Sequence, residues 1–219
     1  MWSKEVIDMI VTGIWETLYM TLVSTLVGYL LGLPMGVVLT VTDKDGIHPN
    51  AFIYKILDVI ANIVRSIPFI ILLVLLIPFT RFVVGKSYGS TATIVPLVIA
   101  AAPYIARMVE SSLKEVDAGV IEAARSMGAS NFTIITKVLL VEARTSLLVG
   151  ATISLGTILG YSAMSGAVGG GGLGAIAIRY GYTRWQTDIM IVTVVLLVVL
   201  FQIFQTLGMK LADRFDHRK

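Results

Sequence analysis

DAGVIEAARSMGASNFTIITKVLLVEA, residues Asp117 to Ala143, is the long stretch of mixed polarity in a chain otherwise made of apolar runs and short connections. Val116, Val120, Ala123 and Met127 recur at steps of four, three and four, so they share one face of a helix. Glu122 and Arg125 fall on other faces. Asp117 stands where an N-cap belongs, and Gly128 where a helix would stop. A second helix is predicted after Ser130, apolar through Phe132, Ile135 and Leu139. The pattern gives two short helices about a glycine hinge, outside any membrane span, with an apolar side left open. A helix lying on the bilayer surface would show the same amphipathicity. Pattern alone leaves surface binding and docking to a partner both open.

Around this stretch the chain is too apolar for a soluble domain. Of 219 residues, 56% are hydrophobic and 14% charged, with a mean hydropathy of +0.87. Soluble domains run at about 45–50% and about 25%. The net charge of +3 is unevenly placed, which reads as membrane orientation rather than nucleic-acid binding. There is no Cys, so thiol and disulfide chemistry are excluded. The start, MWSKEVIDMIVTG, carries acids and no small-residue cleavage site, so no cleavable signal peptide is expected.

Five spans are predicted, at about residues 13–41, 57–79, 87–106, 145–165 and 189–209, each able to supply the roughly 20 residues that cross a bilayer. The first carries Glu16 near its start, Pro34 inside it, and Gly28, Gly32 and Gly36 at every fourth position. Such a small-residue stripe lets helices approach closely. Asp43–Asn50 is a loop. Arg65 lies inside the second span, where a charge must snorkel or pair, and Ser66-Ile67-Pro68 and Pro78 imply kinks. After Arg144 no charge appears until Arg179, too long a run for one simple span. Its GYSAMSGAVGGGGLG, Gly160–Gly174, is too glycine-rich for a continuous helix. The fourth helix is expected to end near Ser165, with a turn or re-entrant segment over 166–178.

Five spans put the termini on opposite sides. Lys4, Arg81, Lys86, Arg179 and Arg184 lie on one side; eleven Lys and Arg, from Lys44 through the 117–143 stretch to the tail, lie on the other. Positive residues stay in the cytoplasm. The N-terminus is therefore expected outside, and the C-terminus and the 117–143 stretch inside.

Several chemistries fail on their own requirements. Gly85-Lys86-Ser87 matches the end of a phosphate-binding loop, but Thr80 stands where its first glycine belongs and the flanks are spans. Nucleotide binding by this chain is not expected. An intramembrane serine protease using Ser162 or Ser165 needs a base within reach, and His48 and His217 fall in cytoplasmic segments. Metal binding lacks Cys and clustered His. Ion coupling lacks deep carboxylates, and five spans show no inverted repeat; a homodimer would supply two halves. An ATP-independent channel stays open as an alternative. Tyr161, Ser162, Met164 and Ser165 bring hydroxyls and an adaptable thioether to the end of the fourth span, where they could line a translocation path. Ordinary helix packing is the simpler account of them.

The spacing of the 117–143 stretch also resembles a family signature. Glu122-Ala123-Ala124, three residues, Gly128, nine residues, then Val138-Leu139-Leu140 resembles the EAA loop of ABC-importer permeases. In that loop Ile-x-Leu-Pro closes the pattern; Val138 here replaces the Ile and Val141 the Pro. Arg65–Leu72, Pro78–Arg81, Ala106–Glu110, Gly160–Met164, Gly171–Gly174 and Arg179–Tyr182 resemble, more specifically, the permeases of bacterial methionine ABC importers. The resemblance implies an all-α multi-pass permease of a bacterial plasma (inner) membrane, a transport subunit rather than an enzyme. It implies a homodimer, two ATP-binding cassette subunits that hold ATP and Mg, an extracytoplasmic substrate-binding protein, surrounding lipid, and no nucleic acid or cofactor on this chain. The substrate it implies is methionine, with a different amino acid or small solute as the alternative. It implies that Glu122, Ala123, Ala124, Met127 and Gly128 couple to the ATPase, with Ala123, Ala124 and Met127 as the docking knob and Gly128 permitting the turn.

Overall fold

The structure is a computed structural model that describes residues 3–215. His217, Arg218 and Lys219 of the charged tail lie outside them. Among the described residues the chain is helical between short turns, with no strand. The first helix, α1, spans Lys4–Thr42. It begins nine residues before the predicted span, because no Gly or Pro precedes Gly13 to stop it. Pro34 sits inside without ending it.

The buried face of α1 includes Thr17, Thr21, Ser24, Gly28, Gly32 and Gly36, and it lies along α5, Ser90–Lys114. A Cβ at Gly32 would fall 2.7 Å from the Ala102 carbonyl oxygen, and one at Gly36 2.6 Å from that of Ala106. The glycine stripe is therefore what allows these two backbones to touch. Met20, Leu97, Ile105, Val109 and Leu113 fill the core between them and their neighbours.

Between α1 and α5 run α2, Ala51–Ser66, α3, Phe69–Leu75, and α4, Ile77–Val84. Within the stretch read as a kinked span over 57–79, α2 and α3 form a bent pair that meets at 102°. Pro68 has no N–H and forces Ile67 out of the helical region, to φ −82° and ψ 123°. Gly85, at φ +81°, stops α4, so Gly85-Lys86-Ser87 is a helix terminus rather than a phosphate loop.

After α5 come α6, Ala118–Ser126, the short α7, Asn131–Thr133, a wider π-helical turn over Ile134–Leu139, and α8, Leu140–Glu142. The long α9 is Arg144–Ser165. The glycine tract then folds back as α10, Gly172–Ile176, followed by a second π-helical turn through Tyr182. The last helix, α11, is Thr187–Arg214. Glu16, placed at a span edge by the sequence, sits well inside α1, where its carboxylate accepts the Gly172 N–H at 2.7 Å. The neighbouring Thr17 hydroxyl accepts the Leu173 N–H at 2.9 Å. These two bonds tie the glycine segment to α1.

Lys4–Thr42, Ser90–Lys114, Arg144–Tyr182 and Thr187–Arg214 are long and apolar enough to cross a membrane. The bent pair α2–α3 makes a fifth if it is one broken span. The chain is a multi-pass, all-helical membrane protein.

Candidate functional site

The Asp117 carboxylate accepts the Gly119 N–H at 2.8 Å and caps α6. At the other end Gly128 adopts φ +79°, a left-handed conformation that glycine takes without a Cβ penalty. The Met127 N–H bonds to the Ala123 carbonyl at 3.1 Å and the Ala129 N–H to that of Ala124 at 3.1 Å, closing the helix. Ser130 restarts it, its hydroxyl accepting the Thr133 N–H at 3.2 Å. Asp117 and Ser130 are thus caps on either side of a glycine hinge.

The two faces of α6 have different fates. Ile121 packs against the core, and Ala124 is 5% exposed, over the Ile134–Leu139 turn. On the opposite side Val120 is 40% exposed, Ala123 is exposed, and Met127 is 82% exposed. Phe132, beyond the hinge, is exposed as well. Of the three residues read as a docking knob, Ala123 and Met127 are therefore exposed, while Ala124 lies one turn from Ile121 on the packed side. Glu122 is exposed and lines a groove of about 390 Å³ with Asp45, Lys114 and Arg125.

The cluster at the end of α9 also divides. Tyr161 stacks on Phe69 of α3, ring centroids 4.4 Å apart and 7° from parallel. Met164 is half exposed. Ser162 and Ser165 are buried, and their hydroxyls donate to the Leu159 and Ser162 carbonyls at 2.7 and 2.6 Å. These two serines, read as possible path-lining residues, face inward, and the Ser162 hydroxyl also accepts from the Thr21 hydroxyl of α1 at 3.5 Å. Tyr161 and Met164 keep accessible surface.

Sequence reasoning missed a set of charges at the α6 end of the bundle. With α5 running to Lys114 rather than stopping at 106, Arg107, Glu110 and Lys114 share one of its faces. Glu110, 5% exposed, pairs with Arg107 at 2.7 Å and with Lys114 at 2.8 Å. Arg107 reaches Asp58 on α2, and Lys114 reaches Asp43 at the end of α1 at 2.6 Å. The hydrogen bond from Lys114 holds the Asp43 carboxyl below the usual carboxylate range. The three-and-four spacing was visible in the sequence; the partners on α1 and α2 were not. Among the described residues no cluster of His, Asp or Glu could hold a metal ion.

Comparison with known proteins matches this arrangement to one family. Residues 28–218 fit the family described as binding-protein-dependent transport system inner membrane component. The chain is 51% identical over 217 residues to the probable D-methionine transport system permease protein MetI of Vibrio cholerae, covering 99% of this chain and 96% of that one. It is 45% identical, over all of both chains, to the methionine import system permease protein MetP of Bacillus subtilis. A chain from inward-facing conformations of the MetNI methionine ABC transporter superposes with a TM-score of 0.96 at 50% identity, over 99% of this chain and 100% of that one. An amino acid ABC transporter crystallised with histidines shares the fold, with a TM-score of 0.78 at 22% identity over 96% of this chain and 95% of that one. A match that runs from the glycine stripe of α1 through the capped α6 to α11 leaves one conclusion: the chain belongs to the binding-protein-dependent transport system inner membrane components.

Proposed function

We propose that this chain is the permease subunit of an ATP-driven importer of methionine. It forms the translocation path by alternating access, while ATP is bound and hydrolysed on a separate subunit. The observation that carries the coupling half is the exposed apolar edge Val120, Ala123 and Met127, held on a helix whose other face is packed into the bundle. An apolar edge presented in this way is a surface awaiting a partner. The substrate half rests on the near-full-length identity to methionine permeases.

In this reading the protein is a homodimer in a bacterial inner membrane, with two ATP-binding cassette subunits carrying ATP and Mg below it. A substrate-binding protein delivers methionine from outside, and lipid covers the apolar flanks. The whole chain is one permease domain of five spans, N-terminus outside and C-terminus cytoplasmic. Glu122, Ala123, Met127 and Gly128 form the coupling surface and hinge, and Tyr161 and Met164 the path-facing end of α9.

The test is ATP-dependent uptake of labelled D- and L-methionine in proteoliposomes, with the copurified ATPase and binding protein and a panel of other amino acids. Methionine uptake that requires ATP supports the reading. Uptake of another amino acid would keep the machine and overturn the substrate, and flux without ATP would overturn the coupling.

A further inference from the structure

Arg125 projects from α6 away from its apolar edge, and its guanidinium donates to the Ile47 carbonyl at 2.5 Å. Ile47 belongs to the 43–50 loop, which begins at Asp43. From Asp43 the ion pairs run through Lys114, Glu110 and Arg107 to Asp58 on α2. The Tyr54 hydroxyl, also on α2, donates to Glu110 at 3.3 Å. At its far end α2 turns at Ile67–Pro68, and the first residue of α3 is Phe69, the partner of Tyr161. A polar chain thus joins the surface helix α6 to α2, the helix that ends beside the path-facing end of α9.

We infer that Asp43, Lys114, Glu110, Arg107 and Asp58 are positioning residues that carry the movement of α6 to α2 and so to the Phe69–Tyr161 contact. The inference rests on the coupling reading of α6 given above. Apolar contacts between α2 and α5 would let the helices slide. Charges paired on a buried carboxylate resist separation, because breaking the pairs strands the Glu110 charge, whose side chain is 6% exposed. They also permit discrete alternatives, and packed elements that switch do so between discrete arrangements. The centre of the chain has a spare donor for such a switch: the Arg107 Nε is buried and has no hydrogen-bond partner. At the solvent end Lys114 is 42% exposed, so it can release Asp43 without being stranded.

The experiment uses the full complex in proteoliposomes and reads uptake per ATP hydrolysed for Asp58→Arg, Arg107→Asp and the double charge swap. A fluorophore on Ile63→Cys, on the exposed side of α2, gives a second readout, the nucleotide-dependent shift in its emission. Each single reversal is expected to lower uptake per ATP by about fivefold or more, the low end of couplings between distinct sites, and to abolish the shift. The double swap restores the 58–107 pair but sets a carboxylate at position 107 beside Glu110, so it is expected to recover part of both, above either single. Singles that keep the wild-type ratio and shift, or a double no better than the singles, would overturn the inference. Should a reversal fail to assemble, Asp43→Asn, at the solvent end, is expected to lower the same two readouts, and unchanged readouts there would overturn it equally. If the wild-type complex takes up no methionine, the functional reading falls, while the α2 shift still decides the role of the charges.

Discussion

Single glycines set the distance between α1 and α5, and their substitutions separate by geometry. A methyl group at Gly36 would press on the Ala106 carbonyl oxygen at 2.6 Å and on Val109 at 2.7 Å, atoms of a backbone and a branched side chain that cannot yield. Gly36→Ala is expected to cost about 1–3 kcal/mol, the usual range for overpacking. At Gly150 a Cβ would meet Met108 at 3.6 Å, an ordinary contact, so Gly150→Ala is expected to hold or raise stability by up to about 1 kcal/mol through helix propensity. Thermal unfolding of the two variants in detergent compares them; equal melting temperatures would mean the α1–α5 contact is looser than described. Asp43 gives a residue-scale pH dependence. Its pKa is depressed in the folded protein by Lys114, so its contribution is present above the unfolded carboxylate value, about 3.9. That contribution is lost as pH falls through the lower folded value. Asp43→Asn is expected to flatten stability measured from about pH 5 downward, relative to wild type.

At the scale of one element, α6 makes opposite predictions for neighbouring alanines and methionines. Met127→Glu leaves a charge in solvent, so the protein should fold and insert normally yet lose copurification with its ATPase. Ala124→Glu buries a carboxylate under the helix, and unpaired burial costs several kcal/mol, so it should lower yield and melting temperature before any partner is added. Size-exclusion profiles with and without the ATPase separate the two. Gly128 behaves differently from a packed glycine: a Cβ there would meet nothing within 4 Å, and the penalty lies in its φ of +79° alone. Gly128→Asn should therefore cost less than Gly128→Val, because Asn tolerates the left-handed region and a β-branched residue does not. These contrasts mark what was legible in the chain. Asp117, Gly128 and Ser130 announce the helix–hinge–helix arrangement because caps and left-handed turns are local chemistry. The loss of Ala124, Ser162 and Ser165 from the accessible surface was not legible, because burial is decided by which neighbour a face meets. The bend after Ser66 was half legible: Pro68 fixes that the helix breaks, but its 102° angle comes from packing of α2 and α3 on α5.

At the scale of the whole molecule, the proposed five crossings depend on the α2–α4 run and on the two loops that flank it. The 43–50 loop is bound to α6 through the Arg125–Ile47 bond. The 85–89 loop lies at the other end of α5, where the Gly89 N–H donates to the Gly169 carbonyl at 2.8 Å. Between those ends α5 runs 25 residues, about 37 Å at 1.5 Å per residue and more than the roughly 30 Å of a bilayer core. In the proposed reading a broken run that joins the two loops traverses the same thickness, and the α6 end, with its excess of Lys and Arg, is expected in the cytoplasm. Because the chain has no native Cys, single cysteines read this directly with an impermeant maleimide on intact cells. Tyr88→Cys, in the exposed 85–89 loop, is expected to label from outside, and so is Trp185→Cys, ahead of α11. His48→Cys and Phe132→Cys are expected to label only after the membrane is opened. Labelling of His48→Cys and Tyr88→Cys from the same side would make α2–α4 re-entrant, leave four crossings, and put both ends of the chain on one face. The positive charge would then be shared between the faces, against the bias that orients multi-pass proteins.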